Sequence, residues 1–529
     1  MPIKYTSPAE QEFWEQQSVQ FLNGIRRGIE KESLRINDRG YISQAPHPVA
    51  LGSTLTHQYI TTDYSEALME FITPATSTRE APLQWLQEIH SEVYQNIGDE
   101  LLWATSMPCV MGKESDIPLA YFGTSNSGRM KTIYREGLGH RYGRFMQTIA
   151  GVHYNFSFAD ELWAPLQEAS SKSSAAGAKR LSLQDYRSER YMGMIRNFQR
   201  NSWIIPFLFG ASPALCESFL NGRPSRLETL VPGTRYGKFA TSLRMSDLGY
   251  QNNVQSQLKV STNCLKEYIA NLEHAIRTED PYYQSIGVLE NGHYKQLNAN
   301  VLQIENEFYS NIRPKRTAKS GERPTKALRE GGVEYIEVRA LDINPFSEIG
   351  VTQQQLNFLD VFLLHSNMQA SPCITEREEA ETKKNFARVV KGGRDPALYL
   401  WHNNKQQRLE DLANSLFEGF EVAAGLLDRA YITDDFSKTI SQLREQISHP
   451  ELTLSGQVVA TIEQRKDGFF PFALELSQQY KAAFLNQQNN QDVTKRFREE
   501  AQRSLTEQKR IEDTDTRSFE AFLASYFED

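Results

Sequence analysis

Glu337 and Arg339 lie two positions apart within an apolar stretch at residues 333–346. The stretch is typical of a β-strand, in which residues two apart share a face and lie about 6.6 Å from each other along the chain. A carboxylate beside a guanidinium suits a site for a metal-bound phosphate. Taken alone, however, the stretch favours a cross-strand salt bridge on a solvated sheet face. The alternating residues are predicted to face the core: Ile336, Val338 and Ala340.

Glu30 and Glu32 repeat this spacing in a second predicted strand, residues 26–37. On that strand they share a face with Leu34 and Ile36, so that two carboxylates continue an apolar surface. Such an arrangement is costly unless something neutralises the two charges, and a divalent cation would do so. An exposed strand with alternating charges fits the segment equally well.

Residues 59–74 contribute Asp63, Glu66 and Glu70. Glu70 lies inside the apolar run 68–72, and this holds whether the run is a strand or a helix. We therefore expect Glu70 to be buried and not solvated. We take Asp63 and Glu70 as candidates for the same acidic site as the first two pairs.

His153 belongs to a clean alternation of apolar and polar residues at 152–158, which predicts a strand. A lone histidine is more often structural than a ligand. This one shares the polar face of its strand with Asn155, which makes a ligand role more credible.

Basic residues are concentrated in two further places. Residues 121–143 are rich in Gly, Ser and Thr and include Arg135, but they contain neither a G-x-x-x-x-G-K-[ST] phosphate loop nor a G-x-G-x-x-G fingerprint. A Walker-type ATPase or a Rossmann dehydrogenase is therefore not supported. Arg313, Lys315 and Arg316 form a second cluster, predicted on a turn, for which a solvated loop is the ordinary interpretation.

The 529 residues are 39% hydrophobic and 23% charged, as in an ordinary soluble globular protein with room for two or more domains. A formal net charge of -8 argues against a general nucleic-acid binder. Four dispersed cysteines form no zinc or disulfide pattern, and no run approaches the ~20 apolar residues that span a bilayer. We expect a soluble cytoplasmic protein that interacts with small molecules and neither nucleic acid nor membrane, and that is a monomer.

The remaining elements must position these residues. Residues 1–375 are predicted to form the catalytic domain, and residues 376–529 a mainly helical region packed on it. Further predictions are helices at 8–22, 80–104, 186–209 and 258–277, a strand at 296–309, a loop at 241–250 and a low-complexity surface insertion at 168–179.

If these segments converge, several carboxylates share one cavity, where mutual repulsion raises their pKa values unless cations are present. Mg²⁺ or Mn²⁺ bridging the phosphates of a nucleotide satisfies the carboxylates, and the basic residues meet the remaining phosphate oxygens. Spacing alone does not show that the segments converge.

Eight segments, in order between about Gly24 and Gly350, resemble the glutamate–cysteine ligases of the proteobacterial type. They are residues 27–35, 60–68, 134–138, 151–157, 241–250, 302–307, 312–316 and 333–346. The resemblance implies an α+β fold, the glutamine-synthetase-like carboxylate–amine ligase fold, with an antiparallel half-barrel sheet and helices outside it. It also implies ATP-dependent ligation of the L-glutamate γ-carboxylate to L-cysteine through a γ-glutamyl phosphate, which is the first step of glutathione synthesis.

The resemblance further implies roles for individual residues, with Mg²⁺ or Mn²⁺ as cofactor and ATP as co-substrate. The implied metal ligands are Glu30, Glu32, Asp63, Glu70, His153 and Glu337. Glu337 and Arg339 are the implied catalytic residues, and Arg339 joins Arg313, Lys315 and Arg316 around the phosphates. The implied amino-acid pockets contain Tyr134, Arg135, Gln147, Asn155, Arg244, Tyr250 and Tyr309.

Two alternatives stay open at the level of the residues. A ligase of the same fold with another amine acceptor has the same pattern, since only the resemblance specifies cysteine. A non-enzymatic binding protein stabilised by Ca²⁺ also accounts for the carboxylates, but it leaves the basic cluster at 313–316 without a role.

Overall fold

Alternating apolar and polar residues build the centre of the fold, where the strands predicted around Glu30, His153 and Glu337 lie side by side. The computed structural model describes residues 3–108, 110–172, 180–248, 258–319, 321–488 and 490–528. Its strands are β1 (Arg26–Ile36), β2 (Ile60–Thr62), β3 (Leu68–Ile72), β4 (Leu101–Leu102), β5 (Gly151–Ser157), β6 (Ala214–Cys216), β7 (Glu228–Val231), β8 (Thr234–Tyr236), β9 (Leu289–Glu290), β10 (His293–Tyr294), β11 (Ile312–Lys315), β12 (Tyr335–Asp342), β13 (Tyr399–His402) and β14 (Lys405–Arg408).

Seven of these strands form one antiparallel sheet in the order β11–β12–β5–β1–β3–β2, with β4 paired to the end of β1. Helices surround the sheet, which gives the α+β class that was expected. In the described ranges the α-helices are Pro8–Glu12, Val19–Leu22, Ala81–Asn96, Asn126–Tyr142, Trp163–Ser171, Leu183–Asn201, Ile204–Phe209, Leu265–Ala275, Pro281–Ile286, Pro324–Gly331, Gln353–Met368, Glu376–Gly392, Leu409–Tyr431, Asp435–Ser448, Leu454–Arg465, Phe469–Asn486, Gln491–Thr514 and Phe519–Glu528.

The back of the sheet is buried against helices. Ile336 and Val338 of β12 are fully buried, as predicted for residues that face the core, and Ala340, which is 2% exposed, lies in an irregular part of the strand. Helix Gln353–Met368 is connected to this side of the sheet through Asp360, which accepts a hydrogen bond of 2.6 Å from the hydroxyl of Tyr154 on β5. The front of the sheet is therefore left for the site.

β12 contains a β-bulge where it pairs with β5. Val338 lies opposite Tyr154 and Leu341 lies opposite Val152, so two residues of β12, Arg339 and Ala340, face one residue of β5. A bulge of this kind shifts the side-chain alternation of the strand by one position. Consequently Glu337 and Asp342, although five residues apart, both lie opposite residues of β5 that point to the front.

The helices after residue 375 pack on the earlier part of the chain. Phe358 and Phe362 of helix Gln353–Met368 contact Phe420 of helix Leu409–Tyr431, with ring centroids 5.4 Å apart in each pair. One large hydrophobic cluster crosses residue 375 in this way, so the domain boundary there stays a prediction. A second, small cluster is separate from it and contains Met130, Leu297, Phe519 and Leu523.

The strand predicted at 296–309 is wrong. The described segment is a loop that contains the 3₁₀ turn Glu305–Glu307. Its polar side chains form hydrogen bonds with backbone groups, so those groups are not available to pair with a neighbouring strand. The amide of Gln296 donates to the carbonyl of Tyr283 at 2.8 Å, and the side-chain oxygen of Gln303 accepts from the N–H of Leu297 at 2.9 Å.

The turn predicted at 311–316 is also wrong, since Ile312–Lys315 is the edge strand β11. An edge strand tolerates Pro314 because one row of its N–H groups has no partner to lose. Several helices are shorter than predicted: 80–104 contains Ala81–Asn96 and then β4, 186–209 divides into two helices after Asn201, and 258–277 contains Leu265–Ala275. Most of the insertion predicted at 168–179 lies outside the described residues.

Where the structure describes the chain, none of its helices is both long enough and apolar enough to cross a lipid bilayer.

Candidate active site

The pairing of β1 with its two neighbours brings acidic residues from three strands together. Glu30 lies opposite His153 of β5, and Glu32 lies opposite Glu70 of β3. Glu337 of β12 borders β5 from its other side. Directly opposite residues of antiparallel strands have Cβ atoms about 4.5–5.5 Å apart, so the register alone gathers these side chains on the front of the sheet.

Glu30, His153 and Glu337 form the tightest group. Each offers one ligand atom, and the three atoms lie within 4.8 Å of one another. Nδ1 of His153 is 3.4 Å from Oε2 of Glu30 and 3.9 Å from Oε1 of Glu337. Oε2 of Glu337 is buried and has no hydrogen-bond partner in the described part of the chain. Two carboxylates, an imidazole and an orphaned oxygen fit a cation such as Mg²⁺ or Mn²⁺.

Glu32, Asp63 and Glu70 line the same cavity, although their ligand atoms do not belong to that tight group. Burial raises the pKa of Glu70 well above its ordinary value, and the charges of Glu30, Asp63 and Glu32 raise it further. Burial likewise raises the pKa of Glu32, with an added contribution from Asp63. Carboxylates that repel one another in this way are stabilised in their charged form by a bound cation.

Glu30 and Glu337 are shifted in the other direction. Burial disfavours their charged forms, but the hydrogen bond with His153 and the charge of Lys315 lower the pKa of Glu30. For Glu337, the charges of Lys315 and Arg339 outweigh burial and hold its pKa well below the ordinary value. The amide of Asn155 also donates to Oε1 of Glu30 at 2.8 Å. Both carboxylates are therefore ready to bind a metal without first losing a proton.

Cations from β11 and β12 form one wall of the cavity. Arg339 lies 3.2 Å from Oε1 of Glu337, and Nζ of Lys315 lies 3.6 Å from the same oxygen. Arg313 is directly opposite Glu337 on β11 and donates to the carbonyls of Phe308 and Asn306. The Glu337–Arg339 pair is thus a contact within one strand that lines a cavity, and the cross-strand salt bridge on a solvated face is the wrong interpretation.

Helix Asn126–Tyr142 forms a second wall. Tyr134 and Arg135 both reach the cavity from it. The guanidinium of Arg135 donates to the carbonyl of Asp63 and stacks over the ring of Phe122, with 4.3 Å from the guanidinium carbon to the ring centroid. Burial lowers the pKa of Arg135, although the negative charges of Asp63 and Glu70 favour its charged form.

Arg244 completes the cavity from the loop predicted at 241–250. Its guanidinium donates to the carbonyl of Arg339 at 3.2 Å and lies 3.6 Å from Oδ1 of the fully buried Asp342. Asp342 also accepts hydrogen bonds of 2.6 and 2.9 Å from the hydroxyls of Ser212 and Ser242. This network fixes Arg244 against β5, where only a glycine fits: a Cβ on Gly151 would lie 2.0 Å from the guanidinium.

The structure brings most of the predicted site residues to this cavity, but not all of them. Arg316 lies outside it, because the alternation of β11 turns it away from Arg313 and Lys315. Its guanidinium donates instead to the carbonyl of Gly331 at 2.6 Å. Asn155 is not among the residues that line the cavity and donates its amide to Glu30, and Tyr250 lies outside the described residues. The predicted residues that line the cavity are Glu30, Glu32, Asp63, Glu70, Tyr134, Arg135, Gln147, His153, Arg244, Tyr309, Arg313, Lys315, Glu337 and Arg339.

Sequence reasoning missed the contribution of the C-terminal region. Lys383, Ala387 and Lys391 line the cavity from one side of helix Glu376–Gly392. Their spacing of four residues places them on a common helical face, which was the available signal. A lysine-bearing helical face is nevertheless typical of ordinary solvated helices, and both lysines also pair with acidic neighbours, Lys383 with Glu379 and Lys391 with Asp247.

The cavity has a volume of about 890 Å³, which is the size of a site for small molecules. Its floor is acidic and fits metal ions, one wall carries the cations that fit phosphate oxygens, and the others combine arginines with tyrosines. This arrangement suits a nucleotide with its metal beside a smaller anionic substrate.

A family model described as glutamate-cysteine ligase matches residues 11–389. The chain belongs to the glutamate–cysteine ligase family. A glutamate–cysteine ligase from Alcanivorax borkumensis is 50% identical over 513 residues, covering 96% of each chain. The crystal structure of the glutamate–cysteine ligase of Francisella tularensis in complex with AMP superposes with a TM-score of 0.89 at 33% identity, covering 96% of this chain and 98% of that one.

A bifunctional glutathione synthetase from Pasteurella multocida shares the fold, with a TM-score of 0.70 and 25% identity; the match covers 90% of this chain and 55% of that one. These likenesses confirm the predicted fold class. The protein, as a glutamate–cysteine ligase, uses ATP to join L-glutamate to L-cysteine, and its product γ-glutamylcysteine begins glutathione synthesis. The alternative of a non-enzymatic Ca²⁺-binding protein is thereby excluded.

Proposed function

We propose that the cavity on the front of the sheet performs both steps of this ligation. In the first step an oxygen of the glutamate γ-carboxylate forms a bond to the γ-phosphorus of ATP, while the bond from that phosphorus to ADP breaks. In the second step the cysteine amine bonds to the carboxyl carbon of the γ-glutamyl phosphate, the bond from that carbon to the phosphate oxygen breaks, phosphate leaves and the nitrogen loses a proton. The observation that carries the proposal is the position of Arg339 and Lys315, both within 3.6 Å of a carboxylate in the candidate metal group.

Glu30, His153 and Glu337 would hold a Mg²⁺ or Mn²⁺ ion, and Glu32, Asp63 and Glu70 add the carboxylates for a further ion on the same floor. Bound there, a divalent cation supplies charge neutralisation at the phosphate oxygens. The fit rests on the orphaned Oε2 of Glu337 and on the raised pKa values of Glu32 and Glu70.

Arg339 would stabilise the phosphoryl group during its transfer. A guanidinium is a planar fork of donors that matches two phosphate oxygens at once, and its Nε is buried without a partner among the described residues. Lys315 and Arg313 lie on the neighbouring strand β11 and would bind phosphate oxygens that Arg339 does not reach. Phosphoryl transfer depends mainly on such positioning and charge, so no protein nucleophile is needed.

Arg135 and Arg244 would bind the carboxylates of the two amino acids, from opposite walls of the cavity. Tyr134 and Tyr309 add hydroxyl groups, and Gln147 adds an amide whose nitrogen is buried without a hydrogen-bond partner in the described residues. An unmatched buried donor of this kind costs free energy unless a ligand accepts from it. These residues therefore form the proposed amino-acid pockets.

The roles are tested by measuring ADP release with Mg²⁺, ATP, glutamate and cysteine. Arg339→Lys should lower kcat about 10²-fold and leave the KM for glutamate nearly unchanged, because an ammonium does not reproduce the fork on the phosphoryl group. The matched change Arg316→Lys, directly after β11 and outside the cavity, should leave kcat unchanged. A change confined to the glutamate KM in Arg339→Lys would refute the phosphoryl role.

We also propose that the protein acts as a cytoplasmic monomer. Cys216, Cys264 and Cys373 are free thiols, as in a reducing compartment. Sedimentation equilibrium should give a mass near 60.6 kDa across concentrations at which the enzyme is fully active. A stable dimer would contradict the proposal.

A further inference from the structure

Helix Asn126–Tyr142 has two occupied sides. Arg135, Leu138 and Tyr142, at spacings of three and four residues, line the cavity. Met130 and Ile133, on another side of the helix, belong to the small hydrophobic cluster that is separate from the main core. Because residues three and four apart share a helical face, whatever packs against this second side determines where the first side stands.

The C-terminal helix Phe519–Glu528 supplies two of the four buried residues of that small cluster. Phe519 is 2% exposed and Leu523 is 8% exposed, and both pack with Met130. Tyr134, which also lines the cavity, is one of the partly buried residues packed against the cluster. Arg129 adds a cation–π contact, with its guanidinium carbon 4.5 Å from the centroid of Phe519.

Polar contacts fix the beginning of helix Asn126–Tyr142 to the segment before Phe519. The carboxylate of Asp515 accepts from the backbone and side-chain amides of Asn126, the latter at 2.7 Å. The carbonyl of Arg517 accepts from the same side-chain amide at 2.9 Å. The first N–H groups of a helix have no partner within the helix, so a carboxylate at this position stabilises and orients it.

A third contact leads to Arg135 from outside the helix. The N–H of Thr124 donates to Glu512 at 2.8 Å, and Gly123, with φ +88°, is approached so closely that a Cβ there would lie 2.3 Å from the side chains of Gln508 and Glu512. The preceding residue, Phe122, is the ring on which the guanidinium of Arg135 stacks. The C-terminal segment therefore supports both the helix that carries Arg135 and the ring beneath its guanidinium.

We propose that residues 508–523, the C-terminal clasp, position Tyr134 and Arg135 for amino-acid binding. The inference rests on the proposed assignment of these two side chains to an amino-acid pocket. The clasp touches neither the metal group nor the cation wall in the contacts described above, so its effect should be restricted to amino-acid binding. It gives the end of the chain a role in substrate affinity.

The test is a set of steady-state KM measurements on full-length variants. Phe519→Ala should raise the KM for glutamate or cysteine about tenfold, since a displacement of about 1 Å in a positioning group has effects of this order or larger. The KM for ATP should stay within twofold of the wild-type value. Phe519→Leu, which refills the cluster, should restore most of the lost affinity.

Phe484→Ala is the matched control. Phe484 is 1% exposed in helix Phe469–Asn486 and stacks against Tyr94 and His90, and it belongs to the large hydrophobic cluster and not to the small one that contains Phe519. It should lower the thermal midpoint and leave all three KM values unchanged. If Phe519→Ala fails to fold, Asp515→Asn at a partly exposed position in the middle of the clasp should raise the same amino-acid KM to a smaller extent.

Unchanged amino-acid KM values in a folded Phe519→Ala or Asp515→Asn protein would overturn the proposal, as would an equal rise in all three KM values. Arg135→Lys separates this failure from a failure of the proposed pocket. If Arg135→Lys raises an amino-acid KM and the clasp variants do not, the clasp is wrong and the pocket stands. If Arg135→Lys changes no KM, the pocket assignment itself is wrong.

Discussion

The two faces of β1 carry charges of opposite sign, and these charges are neutralised in different ways. Arg27, Lys31 and Arg35 point to the back and are at most 3% exposed, whereas Glu30 and Glu32 point to the front. All five residues lie on one strand of eleven residues, so their local propensities are shared. What differs is the source of the neutralising partner.

On the back, the chain supplies its own partners. Arg27 forms a buried ion pair of 2.7 Å with Asp360, and Arg35 pairs with Glu100 at the same distance. Among the described residues, the hydrogen-bond partners of Lys31 are neutral: its Nζ lies 2.7 Å from the hydroxyl of Ser33 and 2.9 Å from Nε2 of His90. Burial accordingly lowers the pKa of Lys31 to about 7.

On the front, the carboxylates face one another across a cavity, and their neutralisation is incomplete without a ligand. Burial and mutual repulsion raise the pKa of Glu70, and Oε2 of Glu337 is without a partner among the described residues. A charge that is matched inside the chain therefore contributes to stability, and a charge that is left for a ligand contributes to activity. Substitutions on the two faces should therefore have opposite signatures.

Glu337→Gln should have the largest effect. We expect kcat to fall about 10³-fold, because the change removes a charge from the candidate metal group beside the transferring phosphoryl. The thermal midpoint without ligands should change by only a few degrees, because the side chain faces the cavity. Turnover and differential scanning calorimetry on the same preparation measure both quantities, and wild-type activity would remove Glu337 from the metal site.

Asp360→Asn, on the back, should have the reverse signature. It leaves Arg27 buried without its counter-ion, which costs about 3–5 kcal/mol of unfolding free energy. The specific activity of the folded fraction should stay within about threefold of wild type at saturating substrate, since Asp360 is behind the sheet. Urea unfolding gives the free energy; a stable variant with lost turnover would break the distinction between the faces.

His90→Gln should reveal a pH dependence that belongs to the back. Burial, with the nearby charge of Lys31, lowers the pKa of His90 well below its ordinary value. Below about pH 6.5 the imidazole of His90 is protonated in the unfolded chain but stays neutral in the folded chain. The free energy of unfolding of the wild type therefore decreases as the pH falls. Relative to His90→Gln, the wild type should lose about 1.4 kcal/mol per pH unit between pH 6 and 5. Parallel urea midpoints for the two proteins across this range would contradict a neutral His90.

Glu70→Gln should have the smallest effect and the opposite sign. The raised pKa of Glu70 means that its ionised form opposes folding above about pH 4.5, so a neutral amide should stabilise the ligand-free protein by about 1 kcal/mol at pH 8. The extra stability conferred by Mg²⁺ with ATP should shrink at the same time. Melting curves with and without these ligands provide the measurement, and a less stable ligand-free variant would show that the repulsion is unimportant.

The sequence predicts those parts of the site that depend on local alternation. Glu337 with Arg339, Glu30 with Glu32, and His153 with Asn155 each share a strand face as the period of two requires. The meeting of these pairs depends on register between strands more than a hundred residues apart, which no local pattern contains. The resemblance to glutamate–cysteine ligases supplied that information.

The errors have local physical causes. Arg316 was grouped with Arg313 and Lys315 because the segment was predicted as a turn, where alternation does not apply; on the strand that actually forms, the neighbouring position faces away. Lys383 and Lys391 resemble residues of a solvated helix until the packing of that helix over the cavity is known. Both errors concern which way a side chain faces.

The β-bulge at Arg339 and Ala340 has a consequence for how this enzyme can change during evolution. The extra residue allows β12 to present Glu337 to the metal group and Asp342 to Arg244 on the same side of the sheet. Regular pairing of all the present residues would place Glu337 and Asp342, five residues apart, on opposite faces, whereas deleting one bulge residue would leave them four apart and on the same face. In evolution this strand can therefore lose the extra residue and its bulge together without turning either carboxylate away, but it cannot lose the bulge alone.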